Sequence, residues 1–116
     1  MRALGMKYVL MVADMDRATA FYRDTFGLTV GIASPYWTEV SIGDATIGLH
    51  AGGDGTFTRT GLSIQVDDIH GAVAAIVEHG GTIRMEPQDR EGEPIFLAEA
   101  TDPEGNGFAV SQMKPM

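Results

Sequence analysis

The sequence predicts an α+β fold made of two βαβββ modules, and three observations carry that prediction. The stretch Val12-Ala13-Asp14-Met15-Asp16-Arg17-Ala18 is echoed by Val66-Asp67-Asp68-Ile69-His70-Gly71-Ala72, so the same strand end, helix cap and buried alanine recur at matching spacing. Both helices that follow close on glycine, at Phe26-Gly27 and at Gly80-Gly81. The runs between them are short, apolar and bounded by turn residues, which is the pattern of strands.

Met6 to Val12 reads as a strand with Lys7, Val9 and Met11 on one face and Tyr8, Leu10 and Val12 on the other. After the Asp14 cap, Met15, Ala18, Phe21, Tyr22 and Thr25 fall at helical spacing, leaving Asp16, Arg17, Arg23 and Asp24 outside. Leu28 to Ala33 is a strand, Ser34-Pro35 a break, and Trp37 to Ile42 a strand that reverses at Gly43-Asp44 into Ala45 to His50. The first module is thus 6–50, a glycine-rich linker occupies 51–60, and the second module is 61–112, all within one domain spanning 1–116. In the second module Leu62 to Val66 is a strand, and Asp68 caps a helix with Ile69, Ala72, Val73, Ile76 and Val77 on one face. Strands follow at Thr82 to Met85, Ile95 to Ala100 and Phe108 to Gln112, with a loop over Glu86 to Pro94 and a turn at Asp102-Pro103-Glu104-Gly105-Asn106.

A chain of 116 residues that is 44% hydrophobic suits one compact domain. Its net charge of −8 argues against a nucleic-acid partner, which requires a concentrated cationic face. The absence of cysteine excludes disulfides and thiolate chemistry and fits a reducing, cytoplasmic setting. No apolar run reaches membrane-spanning length and the N-terminus lacks a signal-peptide core, so no membrane partner is expected.

Two βαβββ halves, together with Phe21-Tyr22-Arg23-Asp24 and Asp102-Pro103-Glu104-Gly105-Asn106, make the chain from Lys7 to Gln112 resemble the vicinal oxygen chelate superfamily. This is the family of glyoxalase, bleomycin resistance proteins and dioxygenases. The resemblance implies that each half curls its sheet into a cup, with helices packed outside and a ligand site inside. In metal-using members the first and last strands of each half supply the ligands, which fall here on Lys7, Gly48, Gly61 and Ala109. None of these four can hold a metal in the usual way, so the resemblance is to the metal-free, bleomycin-resistance-like branch, and no cofactor is expected.

With those four positions inward, strand alternation turns Lys7, Val9, Met11, Thr46, Gly48, His50, Gly61, Ser63, Gln65, Gly107, Ala109 and Ser111 into the cup. It turns the large apolar set Tyr8, Leu10, Val12, Ile47, Leu49, Leu62, Ile64, Val66, Phe108 and Val110 toward the helices. The candidate ligand-binding residues are Lys7, Met11, Tyr36, Trp37, Glu39, His50, Ser63, Gln65 and Ser111, with Tyr36 and Trp37 as a stacking wall. Trp37 has an equal alternative as a plug or a subunit contact. Glu39 in an apolar cup is expected to have a raised pKa unless Lys7 pairs with it, and a plain ion pair is the favoured outcome.

The expected function is binding or sequestering a natural product or drug, as in antibiotic resistance, with an aromatic ligand that is neutral or cationic. The alternative is a glyoxalase-like lyase or isomerase, or a hydrolase, with Glu39 and His50 as acid–base candidates. It would be metal-free or use displaced ligands at His50, Glu39 and Glu99. His70 and His79 read as solvated surface on the second helix. A homodimer is expected, because open sheets leave edges that association can cover. Pairing of modules within a chain and swapping across the linker are both open.

Overall fold

The computed structural model describes residues 1–115. The elements run β1 (Lys7–Val12), α1 (Met15–Phe26), β2 (Thr29–Ala33), β3 (Trp37–Ile42), β4 (Ala45–Ala51), β5 (Thr58–Gln65), α2 (Ile69–Glu78), β6 (Thr82–Asp89), β7 (Ile95–Thr101) and β8 (Asn106–Met113). They form two four-stranded sheets of identical topology, β1-β4-β3-β2 and β5-β8-β7-β6. The first strand of each module pairs parallel with the last, and the other pairs are antiparallel. The duplication read in the sequence is therefore a duplication of fold.

Each helix starts where an aspartate satisfies a free N–H of its first turn. Asp14 accepts from the Arg17 N–H and Asp68 from the Gly71 N–H, both at 3.0 Å. α1 stops at Gly27, whose φ of 69° is left-handed and whose N–H donates to the Arg23 carbonyl. The helix-facing residues of both sheets and both helices merge into one core that includes Leu10, Val12, Leu49, Phe108 and Val110. Phe21, Tyr22 and Phe26 of α1 meet Phe108 of β8 with ring centroids 6.2, 6.2 and 5.9 Å apart, so the first helix packs on the second sheet as well as its own.

Several boundaries differ from the sequence reading, three of them with a visible cause or consequence. β4 runs through Ala51 and β5 starts at Thr58, which shortens the irregular stretch of the 51–60 linker to residues 52–57. The Thr58 N–H donates to the Gly105 carbonyl at 2.8 Å and the Thr60 hydroxyl to the Gly107 carbonyl at 2.6 Å, so β8 templates residues that lack strand periodicity of their own. β6 continues through Pro87 to Asp89, where a loop was expected. It is an edge strand, and shifts of register against β7 accommodate a residue without an N–H.

The turn after β7 joins the modules. Glu104 is 2% exposed, and its carboxylate accepts the N–H groups of Ala13 and Asp14 at 2.7 and 2.9 Å and the Arg17 Nε–H at 2.5 Å. Asp102, also buried, accepts the Tyr22 hydroxyl at 2.6 Å and the N–H groups of Glu104 and Asn106 at 2.8 and 2.9 Å. The Asn106 side-chain amide donates to the Met11 carbonyl at 2.9 Å. Gly105 has φ +87°, and a Cβ there would lie 2.5 Å from the Gly55 and Thr56 carbonyl oxygens, so this turn accepts no other residue without moving the linker.

Candidate functional site

The face of the first sheet turned away from α1 is ordered by strand register. Across it, Met11 lies opposite His50 and His50 opposite Trp37; Val9 lies opposite Gly48 and Gly48 opposite Glu39; Lys7 lies opposite Thr46 and Thr46 opposite Ser41. Val9 and Met11 are 48% and 44% exposed, so this face is open. Trp37 folds across β4 onto Gly48: a Cβ at that position would come within 2.1 Å of the indole. The indole Nε1–H donates to Glu39 Oε2 at 2.9 Å, and Lys7 Nζ donates to the same oxygen at 3.1 Å. Lys7 also lies over the indole, 5.8 Å from its centroid, and His50 stands edge-on to it at 6.1 Å.

The structure thus brings Lys7, Trp37, Glu39, His50 and Met11 together. The bonds from Trp37 and then from Lys7 hold the Glu39 carboxyl below the usual carboxylate range. Glu39 is therefore held ionised while it accepts from the indole and from Lys7. His50 spends Nδ1 on the Ala51 carbonyl. Tyr36, next to Trp37, is 76% exposed and stacks on no ring among the described residues.

Ser63, Gln65 and Ser111 belong to the second sheet, where Ser63 lies opposite Ala109 and Gln65 opposite Ser111. No hydrogen bond, ion pair or ring contact joins them to the Lys7–Trp37–Glu39 group among the described residues. The displaced metal site does not form within the chain either. Glu39 is held by Lys7 and Trp37, Glu99 on the other sheet is paired with Arg59 at 3.2 Å, and no group of three or more His, Asp or Glu suited to a metal occurs among the described residues. Of the four positions on which the metal-using members' ligands fall, Gly48 lies under the indole and Gly61 donates its N–H to the Tyr8 hydroxyl. These residues do not fit a metal ion.

Sequence reasoning missed three features. His79 is not free surface: its Nδ1 pairs with the Thr25 hydroxyl at 3.1 Å, tying the end of α2 to α1. Phe57, assigned to the linker, lies on Gly107 of the second sheet. A cavity of about 730 Å³ lies between the modules, lined by Tyr8, Phe26, Ile47, Leu62 and Ile64 and also by two of the predicted ligand-binding residues, Ser63 and Gln65. The repeat itself held a signal for Glu99, which stands opposite Ala109 as Glu39 stands opposite Gly48.

A family model described as the Glyoxalase/Bleomycin resistance protein/Dioxygenase superfamily matches residues 6–110. The chain belongs to this superfamily. Among curated proteins no relative matches the sequence. Solved structures share its fold: a glyoxalase/bleomycin resistance protein/dioxygenase family enzyme from Burkholderia phytofirmans PsJN superposes with a TM-score of 0.77 at 22% identity, covering 92% of this chain and 96% of that one. TnmS3, an antibiotic binding protein from Streptomyces sp. CB03234, gives a TM-score of 0.77 at 23% identity over 97% and 98% of the two chains. The hypothetical protein SA1046 from S. aureus gives 0.79 at 19% identity over 96% and 94%. At these identities the likeness speaks for the superfamily fold. No helix among the described residues is long and apolar enough to cross a membrane.

Proposed function

We propose that this superfamily member is a metal-free small-molecule-binding protein that takes a planar ligand against Trp37 on the open face of its first sheet. The observation that carries this reading is the indole's preparation: it lies on Gly48 and donates to Glu39, whose same oxygen also accepts from Lys7. An aromatic surface fixed before the ligand arrives costs little ordering entropy on binding. Similarity to an antibiotic binding protein supports a natural product or drug as the ligand, and sequestration as the outcome. In the lyase, isomerase or hydrolase reading Glu39 would have to act as a base while the same oxygen accepts from the indole and from Lys7.

The exposed apolar residues Val9 and Met11 leave the site one-sided in a single chain. A second copy that covers this face would complete the cup and bring a second-sheet face, with its Ser63, Gln65 and Ser111, against Trp37; this supports the homodimer. Calorimetric titration with planar aromatic cations tests the binding reading. Trp37→Ala is expected to weaken binding by about 2.5 kcal/mol, from roughly 100 Å² of apolar contact at about 25 cal/mol per Å². Gln65→Ala is expected to weaken it less, by about 1 kcal/mol for a single hydrogen bond. Equal affinity of wild type and Trp37→Ala would remove the site from this face.

A further inference from the structure

The place that Glu104 fills before α1 has a counterpart before α2, and the two differ in shape and in charge. β7 and β8 pair Thr101 with Gly107 across Asp102 to Asn106, and that long turn carries Glu104 to the Ala13 and Asp14 N–H groups. β3 and β4 pair Ile42 with Ala45 across Gly43 and Asp44 alone. At the short turn lies the cavity of about 730 Å³, walled by Ile42 and Ala45 on one side and by Asp67, Asp68 and Gly71 at the start of α2 on the other. Burial records the difference. Leu10 and Val12 are 1% and 0% exposed, whereas their counterparts in the repeat, Ile64 and Val66, are only partly buried and line the cavity. These are the helix-facing residues of β5. Ser63 and Gln65 meet the cavity because β5 is an edge strand, and none of Lys7, Trp37 and Glu39 lines it.

We propose that this cavity binds an aliphatic primary ammonium amphiphile, with its chain among Phe26, Leu62, Ile64 and Val66 and its ammonium group against Asp67. The repeat supplies the sign of the charge. Before α1 the Glu104 carboxylate is received by Ala13 and Arg17; at the matching positions before α2 stand Asp67 and Gly71, so a cation is lost and a carboxylate gained. Asp67 and Asp68 are the only charged residues on the wall among the described residues, and the Asp67 side chain makes no hydrogen bond or ion pair there. Two carboxylates outweigh the partial positive charge of a helix start, about half an elementary charge. The volume falls within the roughly 300–1,000 Å³ of small-molecule pockets, and apolar walls reward a chain for the area it removes from water. This inference does not rest on the Trp37 reading.

The test is calorimetric titration of the full chain with hexyl-, heptyl- and octylammonium, with octanoate as the anion of matching length. Saturable ammonium binding is expected, tightening roughly fourfold with each added methylene as the chain enters the cavity. Asp67→Asn should weaken octylammonium about fivefold, and that loss should shrink as salt rises. Ala75→Leu, which fills the cavity from α2, should weaken it roughly tenfold or more, and Trp37→Ala should leave it unchanged. Asp67 is exposed, and circular dichroism establishes that both variants remain folded. Absence of saturable octylammonium binding, affinity that ignores chain length, octanoate bound as tightly as octylammonium, equal affinity of wild type and Ala75→Leu or Asp67→Asn, or loss of binding in Trp37→Ala would each overturn the proposal.

Discussion

Glu104→Ala is the substitution expected to damage the fold most among the polar residues, because the carboxylate it removes is the point where the second module holds the first. Its two oxygens accept from the Ala13 and Asp14 N–H groups and from Arg17 Nε–H, at 2.7, 2.9 and 2.5 Å. Hydrogen bonds to an ionised partner contribute about 1.5–3 kcal/mol each when buried. Arg17 is half-exposed and can turn to water, so its share is discounted toward that of a surface pair. The sum expected is about 3–5 kcal/mol, of the size seen when one partner of a buried charge pair is removed. Glu104→Gln keeps an acceptor for the two backbone N–H groups but sets an amide donor against Arg17, and should cost about 1–2 kcal/mol. Urea unfolding at fixed protein concentration, followed by Trp37 emission and far-ultraviolet circular dichroism, measures both. A loss below about 1 kcal/mol for Glu104→Ala would refute the assignment of the turn as the clasp between modules.

Three further outcomes are expected. Gly48→Ala places a methyl within 2.1 Å of the indole, so it should displace Trp37, shift its emission, and cost about 1–3 kcal/mol; unchanged emission would contradict the packing. Glu39 has a depressed pKa, so its pairing stabilises the fold above the unfolded carboxylate's pKa and is lost as pH falls through the folded value. Trp37 emission should accordingly titrate below the ordinary glutamate range, and Glu39→Gln should abolish that step. Burial raises the Asp102 pKa despite four donated hydrogen bonds, so its contribution to stability is full below the unfolded pKa and is lost as pH rises through the folded one. Tyr22→Phe removes one of those donors and should therefore cost more at neutral pH, about 1–3 kcal/mol, than in acid; a pH-independent loss would count against it.

The duplicated module was legible because its signals are local. An aspartate cap, a helical stripe and a closing glycine each depend on neighbours within a few residues, and they recur at Asp14 and Asp68, Ala18 and Ala72. Alternation likewise separated the helix-facing Leu10, Ile47, Phe108 and Val110 from the open face. The illegible parts depend on partners far along the chain. Thr58 to Thr60 became strand because β8 offers them carbonyls, Glu104 became a clasp because it meets Ala13 about ninety residues away, and Phe57 joined a face only through Gly107. Placing Lys7, Trp37 and Glu39 side by side required only register within one sheet, whereas grouping them with Gln65 required the relation between two sheets, which periodicity does not encode.

The account's central claim, that ligand is taken against Trp37, is tested most directly by following the indole N–H in a proton–nitrogen correlation spectrum during titration with a planar aromatic cation. Trp37 is the sole tryptophan, so one indole resonance reports the site. Its saturable displacement, with the Gly48 and Met11 amides moving alongside, is the predicted result. An unmoved indole resonance while the amides of Leu62 and Ile64 respond would place the ligand in the cavity between the modules and contradict the claim.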